Sequence, residues 1–198
     1  LRTTNPYLIK MIKSLSYVIN SEENILFLGE SGTGKSYLAE ELHNLSIRRD
    51  KPFKSINCAQ VTPEQLFTLV FGWGKDVFEV SPKGGQSIFE AAEGGTVFLD
   101  EIGYTNLSFQ KSMLAFLDKG RYNKLGEKTD YQSNVRIIFG TNQNLERLIE
   151  KGDFIHDLYE RLSASRVFQL IPLRERKEDL DEILITELNN FNKKHDSK

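Results

Sequence analysis

The stretch Gly29-Glu30-Ser31-Gly32-Thr33-Gly34-Lys35-Ser36 directly follows the apolar run Ile25-Leu26-Phe27-Leu28. It satisfies the phosphate-binding loop pattern of Gly, any four residues, Gly, Lys and Ser. Such a stretch commits the chain to a strand, a tight turn and a helix in that order. Glycines admit positive φ and bring successive N–H groups onto a β-phosphate, while the start of the helix adds its partial positive charge. Lys35 is placed to reach the β and γ oxygens, and Ser36 to hold Mg²⁺. The alternative is a glycine-rich strand-to-helix turn without a ligand.

The rest of the chain repeats the same alternation. Phe53-Lys54-Ser55-Ile56, Thr96-Val97-Phe98-Leu99 and Val135-Arg136-Ile137-Ile138-Phe139 read as further strands, with Val167-Phe168-Gln169-Leu170 a weaker one. Apolar residues at helical spacing mark helices over 6–20, 35–48, 63–70, 107–119, 144–151 and 154–162. Strands and helices in turn predict a doubly wound α/β domain, a parallel sheet covered on both faces. The region 72–87 has no clear period. Beyond Pro172 the composition becomes charged, and Leu180, Ile183, Leu184, Leu188 and Phe191 then fall on one face of a helix expected over 176–194, a stripe that needs a partner surface.

Composition removes several function classes. Twenty-six Lys and Arg against 28 Asp and Glu leave a net charge of −2, so no global field draws the chain to nucleic acid or an anionic membrane. The only cysteine, Cys58, forms no internal bridge and fits a reducing compartment, and the three histidines lack metal-ligand spacing. No apolar run approaches the ~20 residues of a membrane span. These features predict a soluble, cytoplasmic protein. The start at Leu1 without Met and the polar end Asn192–Lys198 suggest a piece cut from a longer protein.

A nucleoside triphosphatase also needs a carboxylate at the end of a neighbouring strand. Thr96-Val97-Phe98-Leu99-Asp100-Glu101 supplies four apolar residues and then two acids. Asp100 would orient the magnesium shell and Glu101 would activate the attacking water; the bland alternative is a strand running into a solvated turn. Phe139-Gly140-Thr141-Asn142 places an amide at the end of another strand, where Asn142 faces the γ-phosphate side or caps the helix beginning near Asn144.

Together these residues resemble the AAA+ ATPase domains of bacterial enhancer-binding proteins that act on sigma-54 RNA polymerase. The resemblance runs in order through the phosphate loop, Ile56-Asn57-Cys58-Ala59, Phe89–Ile102, Val135–Ile138, Asp157–Leu162 and Pro172-Leu173-Arg174-Glu175-Arg176. It implies a five-stranded core over 1–172, the start of a helical lid over 173–198 that is otherwise largely missing, and ATP with Mg²⁺ held between protomers of a ring, usually a hexamer. It implies three further roles: Asn57 as the switch that holds Glu101 away from water, Asn142 as sensor, and Arg161 as an arginine reaching the neighbour's γ-phosphate. For Arg161 the competing reading is a surface salt bridge to Asp157. DNA contact would fall to a domain outside this sequence, and no membrane contact is implied.

Three positions depart from the family's pattern. Ser36 stands where Glu is common, Ile155 replaces the first trans arginine, and Asp76-Val77-Phe78-Glu79-Val80-Ser81 replaces the sigma-contacting GAFTGA. Only the phenylalanine of that loop is kept, which sets a competent activator against a divergent one with another partner. A different class of function also stays open, a nucleotide-dependent regulatory or assembly module that turns over slowly or not at all. A small-molecule kinase would need an acceptor pocket and an arginine lid, neither of which is evident.

Overall fold

The structure is a computed structural model that describes residues 3–75, 77–78, 83–164, 166–181, 183–185 and 188. Helix α1, Pro6–Val18, starts where the Asn5 side chain accepts from the amides of Tyr7 and Leu8, with Pro6 in the first turn, where an N–H would have no helical partner. Strand β1, Ile25–Leu28, leads through the phosphate loop to α2, Lys35–Leu45. In order there follow β2 Phe53–Asn57, α3 Pro63–Phe71, α4 Ile88–Ala91, β3 Thr96–Asp100 and α5 Leu107–Lys119. After these come β4 Arg121–Asn123, β5 Asp130–Gln132, β6 Arg136–Thr141, α6 Leu145–Lys151, α7 His156–Ser163 and β7 Arg166–Gln169.

Five strands form one parallel sheet in the order β2-β3-β6-β1-β7. Side chains alternate across it, so each strand feeds two cores. Ile25, Phe27, Phe98 and Ile138 pack under α1 and α2 against Leu8, Leu15, Leu38 and Leu42. Leu26, Val97, Leu99, Ile137 and Phe139 face the other way, onto Leu66, Phe71, Phe109, Met113, Leu158 and Leu162 of α3, α5 and α7. Burying each such side chain stabilises the fold by roughly 1.5–3 kcal/mol, and the polar residues buried in the central strands, Thr96, Arg136 and Thr141, sit at strand ends.

The expected doubly wound α/β plan is the one observed, with boundaries moved by a few residues. Helix α2 stops at Leu45 because the Ser46 amide and hydroxyl both turn back to the His43 carbonyl. Strand β6 runs on to Thr141, since its pairing with β1 continues to the pair Leu28 and Thr141. The antiparallel hairpin β4–β5 was not legible, because its exposed positions are polar and its two strands carry just Tyr122 and Tyr131 as apolar residues, stacked at 5.7 Å. In the stretch without periodicity, Trp73 bridges to Gly85 and to Leu125, which sets the base of that loop beside the hairpin. Beyond Pro172 the chain takes two 3-10 turns, Leu173–Glu175 and Lys177–Asp179, before helical residues 180, 181, 183–185 and 188; the remainder of the helix expected at 176–194 lies outside the described residues.

Candidate nucleotide-binding site

Parallel strands end together, so the carboxyl ends of β1, β2, β3 and β6 bring Gly29, Asn57, Asp100 with Glu101, and Asn142 to one edge of the sheet. This is the edge where open α/β sheets bind ligands. Asp100 ends β3 and Glu101 follows it, and β3 does not touch β1: β6 stands between them, so the expected neighbouring strand is one place further away.

The loop Gly29, Glu30, Ser31, Gly32, Thr33, Gly34, Lys35, Ser36 wraps the start of α2. Gly32 and Gly34 have φ of +81° and +100°, and a Cβ at either would meet nothing within 4 Å. The backbone there needs glycine, and the loop leaves open room at its rim, as a phosphate cradle requires. Thr33 closes the turn, its amide and hydroxyl both donating to the Glu30 carbonyl.

Lys35 is buried, and its ammonium donates to the carbonyls of Gly29 at 2.9 Å and Glu30 at 3.3 Å and to Glu101 Oε1 at 3.4 Å. The Ser36 hydroxyl donates to Asp100 Oδ2 at 3.2 Å. A hydroxyl and a carboxylate side by side are hard oxygen donors of the kind magnesium takes together with substrate phosphates and water. Burial pushes the Asp100 carboxyl up, Lys35 opposes this, and the Glu101 carboxylate adds to the rise.

Glu101 has φ 57° and ψ 45°, the one non-glycine residue at positive φ among the described residues. Such a conformation costs about 1–3 kcal/mol and persists only where surroundings enforce it. Here the Glu101 amide donates to Asp100 Oδ1 at 3.0 Å, and Glu101 Oε2 accepts from the Asn142 backbone amide at 2.9 Å.

The remaining candidates stand as follows. Asn57 uses its side-chain oxygen to accept from Ala59 N at 2.9 Å, opening the 3-10 turn Cys58–Gln60; among the described residues Glu101 is held by Lys35 and Asn142, not by Asn57. Asn142 has an exposed side chain, and the cap of α6 is Asn144, which accepts from Arg147 N. Asn142 lines a cleft of about 330 Å³ with Gly29, Glu30, Thr141 and Tyr159. Arg161, on α7, donates to the Leu117 carbonyl at 3.1 Å and stands 3.4 Å from Asp118, so its acidic neighbour is on α5 rather than at Asp157. Of the six residues aligned with the sigma-contacting loop, only Val77 and Phe78 are described; the Phe78 ring stands edge-on to Trp73 at 5.7 Å.

Two residues at the loop escaped the reading of function from sequence. Arg174 bonds the Glu30 carboxylate twice, and Arg176 donates to the Thr33 carbonyl at 3.0 Å. Both lie more than 140 positions from their partners, so no local pattern announces the contact.

A parallel five-stranded sheet with the phosphate loop after β1, paired acids after β3 and an intervening β6 defines the fold of a AAA+ P-loop NTPase domain. The chain belongs to the Sigma-54 interaction domain family, which matches residues 1–168. It is 37% identical over 198 residues to a Geobacillus stearothermophilus protein called limonene hydroxylase, covering 99% of this chain and 36% of that one. It is 38% identical over 191 residues to a Nif-specific regulatory protein of Azorhizobium caulinodans, covering 96% and 31%. The chain therefore spans about a third of the length of these curated relatives. Among solved structures, NtrX of Brucella abortus in complex with ADP superposes with a TM-score of 0.90 at 29% identity, over 100% of this chain and 43% of that one. The same protein in complex with ATP gives 0.89 at 29% identity, over 100% and 42%.

Proposed function

We propose that this chain is the ATP-binding and ATP-hydrolysing unit of a sigma-54-interacting transcriptional regulator. The observation that carries this reading is the 3.2 Å contact between the Ser36 hydroxyl and Asp100, with Glu101 as the next residue and the open glycine loop beside them. Main-chain amides of residues 29–36 and the Lys35 ammonium bind the phosphates. Ser36 and Asp100 hold Mg²⁺, which when bound offsets phosphate charge. Glu101 takes the proton of the attacking water as its oxygen bonds to the γ-phosphorus and the bond to the ADP oxygen breaks.

Asn142 lies at the terminal-phosphate side, and Arg161 from an adjacent copy stabilises the charge that develops on the transferred phosphoryl. This requires a ring, of six copies by the family's pattern, acting in the cytoplasm. Asn57 serves as the switch on Glu101 when the nucleotide state changes. Residues 173–198 open the lid. The complexes of NtrX with ADP and ATP support the choice of nucleotide. The family assignment supports sigma-54 RNA polymerase as partner, through a loop at 76–81 whose tip has lost its glycines.

A second reading, a nucleotide-dependent assembly module with little turnover, is favoured by one arrangement: both Glu101 oxygens are engaged, and Arg161 is bonded within its own chain. Phosphate release from ATP separates the two. Magnesium-dependent turnover that both Lys35→Ala and Glu101→Gln abolish supports hydrolysis. Nucleotide uptake with no release of phosphate supports the module, and no uptake at all rejects both.

A further inference from the structure

Arg174 and Arg176, two residues apart, grip the two ends of a single turn of the phosphate loop. The Arg174 guanidinium donates to both Glu30 carboxylate oxygens, at 2.7 and 2.5 Å, in the parallel geometry that suits Arg and carboxylate. Arg176, only 8% exposed, donates to the Thr33 carbonyl at 3.0 Å. The same short segment is tied at its other end to the residues that open α1. The Thr3 hydroxyl donates to Asp179 Oδ1 at 2.7 Å, and the Asn5 amide donates to Glu178 Oε1 at 2.6 Å.

Stability alone does not account for Arg176. Among the described residues its Nε and Asp179 Oδ2 are buried without a hydrogen-bond partner, and the nearest charge contact between the two residues is 3.9 Å. A buried ion pair with loose geometry is commonly no better than an apolar residue of the same size, so its presence calls for another explanation. The peptide whose carbonyl accepts from Arg176 is the one whose N–H belongs to Gly34, inside the phosphate loop. A cation on the carbonyl polarises that peptide and makes its N–H a stronger donor to an anion. Glu30, for its part, puts a carboxylate in a loop built for a polyanion, and Arg174 neutralises it.

We infer that the segment Leu173–Asp179 is a strut that positions the Glu30–Thr33 turn and sets its electrostatics for a nucleoside polyphosphate, with Arg176 a positioning residue acting through the Thr33 carbonyl. The inference rests on the nucleotide site proposed above. Through the strut, phosphate affinity is linked to the segment beyond Pro172 and to Thr3 and Asn5.

The test is calorimetric titration of ADP with Mg²⁺ into the whole 198-residue chain, together with thermal unfolding without nucleotide. Arg176→Met is expected to weaken ADP about tenfold and, because it strands the buried Asp179 carboxylate, to lower the nucleotide-free unfolding midpoint; Arg176→Met with Asp179→Met, which removes the pair whole, is expected to recover the midpoint but not the affinity. Arg174→Glu is expected to weaken ADP by about five- to tenfold, and the exchange Glu30→Arg with Arg174→Glu to restore it to within about twofold. Unchanged affinity in both Arg176→Met and Arg174→Glu overturns the strut and leaves the nucleotide site standing. Affinity that returns together with the midpoint in the double variant Arg176→Met with Asp179→Met, or an exchange that restores nothing, also overturns it. If Arg176→Met does not fold, the surface exchange decides. An unsubstituted chain that takes up no ADP overturns the nucleotide site itself, and the strut with it.

Discussion

The Lys35 ammonium and the Glu101 carboxylate form a buried pair, Nζ to Oε1 at 3.4 Å, while the second carboxylate oxygen accepts from the Asn142 amide at 2.9 Å. Neither charge is free as the protein stands. On the function proposed above, a phosphate that draws the ammonium away would leave one Glu101 oxygen for a water molecule, and binding and hydrolysis would be coupled through this contact.

Glu101→Gln keeps the size of the side chain and removes its basicity. Turnover is expected to fall by about 10²–10⁴-fold, with nucleotide affinity within a few-fold of the unsubstituted chain. Phosphate release and equilibrium titration check the two halves; undiminished turnover in this variant sinks the assignment of Glu101 as base.

Arg136 closes the carboxyl end of α1. Its Nε donates to the Glu23 carbonyl, and its two terminal nitrogens to Ile19 and Val18, at 3.2, 2.8 and 2.6 Å. Arg136→Met leaves the Glu23 and Ile19 carbonyls without this donor, while the Val18 carbonyl keeps the Ser21 amide and hydroxyl, an expected loss of about 2–4 kcal/mol. For a domain of this size that lowers the unfolding midpoint on the order of 10 °C. A midpoint within a degree or two of the original contradicts this account.

His43 is buried, with Nδ1 3.0 Å from the Thr96 hydroxyl, and burial holds its pKa below the ordinary value against smaller opposing effects of the Lys51 backbone and Glu40. Between the folded and unfolded values the unfolded chain binds more protons, so stability rises with pH there. The contribution is complete above about pH 6.5 and is lost as pH falls from there through the lower folded value. Urea midpoints measured from pH 7.5 down to 5.5 are expected to decline, and His43→Gln to flatten the decline. An equal slope in both proteins refutes the link.

Cys58 is buried beside the site, and burial with the nearby Asp100 charge pushes its thiol up to about 12. The thiolate is the reactive form, so the folded chain is expected to resist iodoacetamide at pH 8 and to react promptly in urea. Mass spectrometry reads the outcome directly; rapid alkylation of the native chain runs against the burial described.

The residues that define this domain are contiguous, and that is why they were legible without a fold. Gly29 to Ser36, the apolar runs ending at Leu28 and Leu99, and the acids at 100 and 101 each carry their meaning in adjacent positions, because turn geometry and strand burial are local demands. The lateral order of the strands was not legible. Only the assembled sheet puts β6 between β1 and β3, so that the Asn142 amide rather than Asn57 holds Glu101 and Ser36 meets Asp100. Arg174 and Arg176 reach the phosphate loop only after the chain has crossed the whole sheet. Pairings across such distances follow from burying both faces of the sheet at once, and local periodicity carries no record of which distant segment will close over a given loop.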